Sequence, residues 1–307
     1  MECFAAIDIG SNAIRLMVGV RDKKNRVRVL NKFREPVRLG QDVFTNQRIS
    51  ESSILKLVSA MKDFKAITDS MAVSRLRAVG TSALRESRNK DEVIERVFLA
   101  SNILIETIDY KEEALLISSA VQQAINYGEE ATLLFDIGGG SVEFILSQGG
   151  LVRDVVSFPA GTLRMLSQVR NSDDHEGLVR VVDSLEEKFR SWFNNRYQPI
   201  KHIVGTGGNL ECIGGLRRLL LGQKSDRLIR TDELYILIGI LTGLTYSQRR
   251  RELNLRPDRA DVLVPAMMVC KMVFRVVEKS KICIPRVGLR DGLILALSEN
   301  APSSSPV

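Results

Sequence analysis

The sequence predicts an α/β protein of two similar domains, and three observations predict it. The phrase Phe4-Ala5-Ala6-Ile7-Asp8-Ile9-Gly10-Ser11-Asn12 returns near the middle of the chain as Phe135-Asp136-Ile137-Gly138-Gly139-Gly140-Ser141-Val142-Glu143. Each copy opens the same run of patterns, three strands in a meander followed by helices alternating with strands, which suggests an internal structural duplication. With 307 residues, 44% of them apolar and 26% charged, the chain is long enough for two cores. The expected divisions are 1–124, 125–300 and a disordered Ser- and Pro-rich tail at 301–307.

Composition narrows the class of function. No apolar run approaches a membrane span, and Met1-Glu2-Cys3-Phe4 lacks the basic start of a secretory signal, so a cytoplasmic protein is expected. Cys3, Cys212, Cys270 and Cys283 are too widely spaced for a metal-ligand pattern and read as reduced core thiols. His175 and His202, the only histidines, stand in unrelated contexts. A net charge of +7 (44 basic against 37 acidic residues) favours polyanionic partners. Aromatics at 6% give no base-stacking platform, so a specific nucleic-acid partner is not expected.

Taken in order, Phe4–Asp8 and Ala13–Val20 read as strands, and a polar turn at Arg21–Asn25 leads to a third, Val27–Leu30. A strand rather than a helix follows the first glycine turn, unlike a dinucleotide-binding fold. Ser50 can cap a helix carrying Ile54, Leu57, Val58, Met61 and Phe64 at helical spacing. Leu76–Val79 is a strand, and Gly80-Thr81-Ser82 after it suits a helix start with Arg85 one turn inside. Arg85 reads as a solvated helix arginine, and a phosphate-facing role is preferred only if this strand end opens on the same cleft as the glycine turns. Ile103–Ile108 is a strand, and Lys111-Glu112-Glu113-Ala114 opens a helix running to Ala124. The helix dipole alone favours glutamates there, so only one of Glu112 and Glu113 need be functional, and the pattern does not say which.

The second half repeats the order, with strands near 131–136, 141–148 and 151–157, a helix at about 172–191 and a strand at His202–Val204. The turn Gly138-Gly139-Gly140-Ser141 reads either as a plain hairpin or as an anion cradle, because its backbone N–H groups are unshielded by side chains. Asp136 at its entrance, with Glu143, can hold a hard cation. Gly205-Thr206-Gly207-Gly208-Asn209 enters a helix, whose N-terminus favours an anion. Thr231-Asp232-Glu233 starts another helix. Arg249-Arg250-Arg251 with Arg256 is expected to be a solvated basic face. An apolar helix at Val262–Val277, a strand at Ile282–Pro285 and a last helix after Val287-Gly288-Leu289-Arg290-Asp291-Gly292 close the chain.

In combination these motifs resemble the exopolyphosphatase / guanosine pentaphosphatase family, within the actin, hexokinase and sugar-kinase superfamily. Asp8–Asn12 with Arg15-Leu16, Arg38-Leu39-Gly40, Thr81–Arg85, Glu112-Glu113-Ala114, Asp136–Ser141 with Glu143, Ser157–Gly161 with Arg164, Gly205–Gly208, Arg259-Ala260-Asp261 and Leu289–Gly292 carry the resemblance over about 4–297. The resemblance implies two actin-like (ribonuclease H-like) domains, each a mixed five-stranded sheet with flanking helices, facing across a central cleft. It implies a short, two-domain class and a homodimer. The long apolar helix, however, is equally explained as core.

The resemblance further implies hydrolysis of terminal phosphate from polyphosphate, or of pppGpp to ppGpp, by metal-assisted attack of water. By position it implies Glu113 as the base, Arg85 at the substrate phosphates, and Asp8, Asp136 and Glu143 near Mg²⁺ or another divalent cation. Gly10, Ser11, Asn12, Arg15, Gly138, Gly139, Gly140, Ser141, Gly207 and Gly208 would meet phosphate. Three positions depart from the common pattern: Asp109-Tyr110-Lys111 replaces Ser-Gly before the glutamates, Leu115 replaces an arginine, and Ala13 replaces a serine. They leave open a binding regulator with little turnover. A kinase or ATPase using Gly205–Asn209 for adenosine is a third reading, without a sugar-binding signature to support it.

Overall fold

A computed structural model describes residues 2–21, 27–194 and 199–299 and divides the chain into two compact units, 1–121 with 287–307, and 122–286. Most of the expected turn at 21–25 and the tail at 301–307 lie outside the described residues. Among those residues no helix is long and apolar enough to cross a membrane.

In the first unit, β1 (Cys3–Ile9), β2 (Ile14–Arg21) and β3 (Val27–Glu35) form the antiparallel meander. Helices α1 (Leu39–Asn46) and α2 (Glu51–Ser70) lead to β4 (Arg75–Gly80), which pairs parallel to β1. Then α3 (Ser82–Glu86) and α4 (Lys90–Ser101) lead to β5 (Ile105–Thr107), followed by α5 (Tyr110–Ala124). The sheet order is β3-β2-β1-β4-β5. Alternation along β1 and β2 turns Ala5, Ile7, Ile9, Leu16 and Val18 into a core with Leu57, Met61 and Phe64 of α2 and Val93 and Val97 of α4. Ser50 caps α2 as expected, its hydroxyl accepting from the Ser53 N–H at 3.3 Å.

In the second unit, β6 (Thr132–Ile137), β7 (Val142–Gln148) and β8 (Leu151–Phe158) repeat the meander. There follow α6 (Thr162–Leu166), α7 (His175–Asn194), β9 (His202–Thr206), α8 (Gly207–Leu220), β10 (Leu228–Arg230), α9 (Thr231–Thr242), α10 (Tyr246–Glu252), α11 (Pro257–Ala260), α12 (Leu263–Val277) and β11 (Lys281–Cys283). The order β10-β11-β9-β6-β7-β8 makes this sheet six-stranded rather than five-stranded. The addition is β10, a three-residue edge pairing too short to show alternation in the sequence. Every residue of α12 except Lys271 and Arg275 is buried in the unit's own core, so this apolar helix is accounted for within the fold. Phe144 and Phe189 stack there with ring centroids 4.1 Å apart.

Two further differences have physical causes. Arg249 is fully buried, not a solvated cation: it donates to the carbonyls of Leu241 and Ala260 and pairs with Asp173 at 3.0 Å. Burial lowers its pKa, against the opposing pull of Asp173 and Asp261. The last helix, α13 (Leu289–Glu299), packs on β1 and β2 of the first unit, whereas the sequence reading grouped it with residues 125–300. Gly19 allows the close approach of Ile294 to β2, and Gly292 lets the helix lie against α5, where a Cβ would strike the Leu116 carbonyl.

Candidate functional site

The β1–β2 hairpin sets the first turn. Asp8 lies opposite Arg15 and Ile9 opposite Ile14, and the Gly10 N–H closes the turn onto the Ala13 carbonyl at 3.2 Å. The carbonyls of the segment face inward. Ile9 accepts from the Thr81 N–H at 3.3 Å and Ser11 from the Gly40 N–H at 2.8 Å. The second of these bonds draws the start of α1, and with it Arg38, to the turn. The Ser11 and Ser82 hydroxyls lie 2.9 Å apart, tying the turn to α3. Asp8 is paired with the Arg15 guanidinium at 3.0 Å.

Arg85 donates to the Ile108 carbonyl at 2.6 Å, so it braces the strand end that leads into α5. Asp109 caps that helix, accepting from the N–H groups of Lys111 and Glu112 at 2.9 and 2.8 Å. The structure separates the two glutamates that the pattern left equivalent. Glu112 pairs with Arg77 at 2.6 Å on the exposed side of the unit, whereas Glu113 is 8% exposed. Leu115 is 57% exposed, two residues on and therefore on a different helix face.

The second turn repeats the first with stronger bracing. Asp136 lies opposite Glu143, and the Gly138 N–H closes onto the Ser141 carbonyl at 3.0 Å. The start of α6 takes up the carbonyl side: Gly138 accepts from the Thr162 N–H at 3.0 Å, and Gly139 from those of Leu163 and Arg164 at 2.8 and 3.1 Å. The Arg164 side chain donates through Nε to the Gly140 carbonyl at 2.8 Å. Among the described residues no backbone oxygen accepts from the N–H of Gly139 or Gly140. Gly161 makes this contact possible, since a Cβ there would overlap backbone atoms of Gly139, Gly140 and Ser141. Gly161→Ala should therefore cost about 1–3 kcal/mol, read as a lower urea midpoint at constant slope.

Two carboxylates flank this turn, Asp136 half-buried and Glu143 buried. Directly opposite residues on an antiparallel pair share a face, with Cβ atoms about 5 Å apart, so Asp136 and Glu143 are neighbours. Asp136 accepts from the Thr206 hydroxyl at 2.6 Å, and Glu143, 1% exposed, from that of Ser157 at 2.7 Å. Gly207 has a φ of +87° and approaches so closely that a Cβ would lie 2.8 Å from Asp136 Oδ1. Among the described residues no three His, Cys, Asp or Glu gather into a metal site. A pair of fixed carboxylates nevertheless suits Mg²⁺, which commonly takes one or two from the protein and the rest of its shell from water and phosphate.

At the third turn Gly207 and Gly208 begin α8. Asn209 is committed to structure: its amide donates to the Ile137 carbonyl at 3.0 Å and its oxygen accepts from Arg259 at 2.6 Å. Thr206, Ser157, Gly161 and Arg164 belonged to recognised motifs, but only their hydrogen bonds reveal what they hold.

The model of the Ppx/GppA phosphatase family matches residues 18–301. Exopolyphosphatase 1 of Mycobacterium leprae is 24% identical over 302 residues, 94% of this chain and 87% of that protein. A bifunctional 3-dehydroquinate synthase/phosphatase of Fusobacterium nucleatum is 25% identical over 312 residues, 96% of this chain but 46% of its own length, so the chain spans less than half of that relative. The crystal structure of an exopolyphosphatase from Cytophaga hutchinsonii superposes with a TM-score of 0.90 at 25% identity, covering 99% of this chain and all of that one.

Proposed function

The chain belongs to the Ppx/GppA phosphatase family, and from that premise we propose that it is an exopolyphosphatase, releasing terminal phosphate from inorganic polyphosphate, with hydrolysis of pppGpp to ppGpp as a second activity. The observation that carries the reading is the twice-built turn, Gly10–Ala13 and Gly138–Ser141, closed by the same bond in each unit and held from its carbonyl side. Such turns present N–H dipoles to an anion at no reorganisation cost.

Phosphoanhydride hydrolysis needs an in-line water, neutralised phosphoryl oxygens and little covalent help. Gly10, Ser11, Asn12 and Arg15, Gly138 to Ser141, and Gly207 with Gly208 hold phosphates. Arg85, braced on Ile108, contributes its remaining donors to the transferred phosphoryl group. Glu113 takes the proton of the attacking water. Asp136 and Glu143 would hold Mg²⁺, whose part is to neutralise charge on the phosphate oxygens. Asp8 keeps Arg15 in place.

Phosphate release from polyphosphate, pppGpp and ATP, with Mg²⁺ or with EDTA, tests the reading. Mg²⁺-dependent release from polyphosphate is expected. Binding of pppGpp without release would replace the enzyme by an alarmone-binding regulator, and ATP turnover that needs an acceptor would point to a kinase. The commitment of Asn209 to Ile137 and Arg259 weighs against the kinase, which would need that turn for adenosine.

A further inference from the structure

The proposed chemistry gives parts to Arg85 and Glu113 at the start of α5 but none to Tyr110, the first residue of that helix. Asp109 fixes the backbone there. Its carboxylate accepts from the Lys111 and Glu112 N–H groups at 2.9 and 2.8 Å, and its carbonyl from that of Glu113 at 3.1 Å. Three residues apart on a helix, Tyr110 and Glu113 share a face, with Cβ atoms about 5–6 Å apart. The two residues between them lie off that face: Glu112 is bound to Arg77, and Lys111 is exposed. Tyr110 is half-buried, and among the described residues no group hydrogen-bonds its hydroxyl. Two residues before it, the Ile108 carbonyl accepts from Arg85 at 2.6 Å, which brings a guanidinium to the same end of the helix. A phenol, a carboxylate and a guanidinium thus stand together at one helix start.

A phenol oxygen both donates and accepts a hydrogen bond. An attacking water has two hydrogens, and a carboxylate base takes only one. Holding the second as well aims the lone pair of the water at phosphorus, and such orientation contributes directly to rate. Of the side chains in this turn, Tyr110 is the one beside Glu113 with a hydroxyl to do so. It also falls among the positions where this chain departs from the common pattern, so the group is the chain's own.

We propose that Tyr110 is a further catalytic residue, whose phenol oxygen accepts the water hydrogen that Glu113 does not take and whose O–H donates to an oxygen of the transferred phosphoryl group. The inference rests on the reading of the chain as a phosphoanhydride hydrolase and adds a group to its water site. In the step, the water oxygen bonds to phosphorus as the bridging P–O bond breaks, and the departing chain keeps that electron pair. Glu113 takes one water proton, the other stays on the phosphate released, and Tyr110 ends with the proton it began with. Losing one hydrogen bond to a charged group costs about 10–100-fold in rate.

The test is a double-mutant cycle: kcat and KM for phosphate release from polyphosphate in wild type, Tyr110→Phe, Glu113→Gln and the double variant, with an unfolding midpoint for each. Tyr110→Phe keeps the ring, so its midpoint should match wild type, while kcat falls about 10–100-fold and KM stays within about twofold. Because both groups hold one water, Tyr110→Phe should lower kcat no more than about threefold once Glu113 is already glutamine. Losses that multiply in full, a loss confined to KM, or an unchanged kcat in Tyr110→Phe would each overturn the role of Tyr110 and leave the hydrolytic reading standing. Absence of phosphate release by wild type from polyphosphate, pppGpp and ATP would overturn the hydrolytic reading and this role with it.

Discussion

Glu113→Gln is expected to slow phosphate release from polyphosphate by about 10²–10⁴-fold, the contribution of a positioned general base, while KM and the unfolding midpoint stay near wild type. The geometry separates this residue from its neighbour. Glu113 is buried in the first turn of α5, whose N-terminus favours its negative charge. Glutamine fills the same volume and can make similar hydrogen bonds, but its amide cannot take a proton from water. Glu112 is the internal comparison. It is ion-paired with Arg77 and partly exposed, so Glu112→Gln should cost no more than about 1 kcal/mol of stability and leave turnover nearly intact. Single-turnover phosphate release with circular dichroism on both variants reads the two effects separately. Comparable losses of rate in both would remove the base assignment from Glu113.

How far the sequence could be read depended on element length and on whether a residue acts through its type or its partners. The long periodic elements, α2, α5 and α12, and the two meanders were legible because alternation or helical spacing persists over enough residues. Short pieces were read unevenly: the start of α3 and the strands β5, β9 and β11 were expected, whereas α6 is a single turn and β10 is a three-residue pairing on β11. The last helix was assigned by its place in the chain, whereas the glycines at 19 and 292 that fix its packing have meaning only in three dimensions. Arg249 shows the same limit, since three consecutive arginines look solvated until the carbonyls that one of them satisfies are known. At the candidate site the sequence supplied the glycine turns and acidic residues. It could not show that α6 binds the second turn from its carbonyl side, or that Arg15 occupies Asp8.

That last contrast separates the two turns chemically and yields the second large effect. Both carry an aspartate with a charged residue directly opposite on the ladder, but Asp8 faces an arginine and Asp136 faces a glutamate. An acid paired with a cation has little left to attract a metal. Two opposed acids repel each other, and a divalent ion between them removes that cost. The divalent ion should therefore bind at Asp136 and Glu143 rather than at Asp8. Asp136→Asn keeps an oxygen for the Thr206 hydroxyl, now at 2.6 Å, so the fold should persist. Its Mg²⁺ requirement should rise by at least about 100-fold, the upper end of what losing an outer-sphere partner costs. Thr206→Val removes only such a partner and should fall between wild type and Asp136→Asn. Mg²⁺ titration of phosphate release, with unfolding curves as the control, measures the series. An Asp8→Asn variant that matched Asp136→Asn in Mg²⁺ dependence would show that the two turns share the metal, against the charge pattern of their ladders.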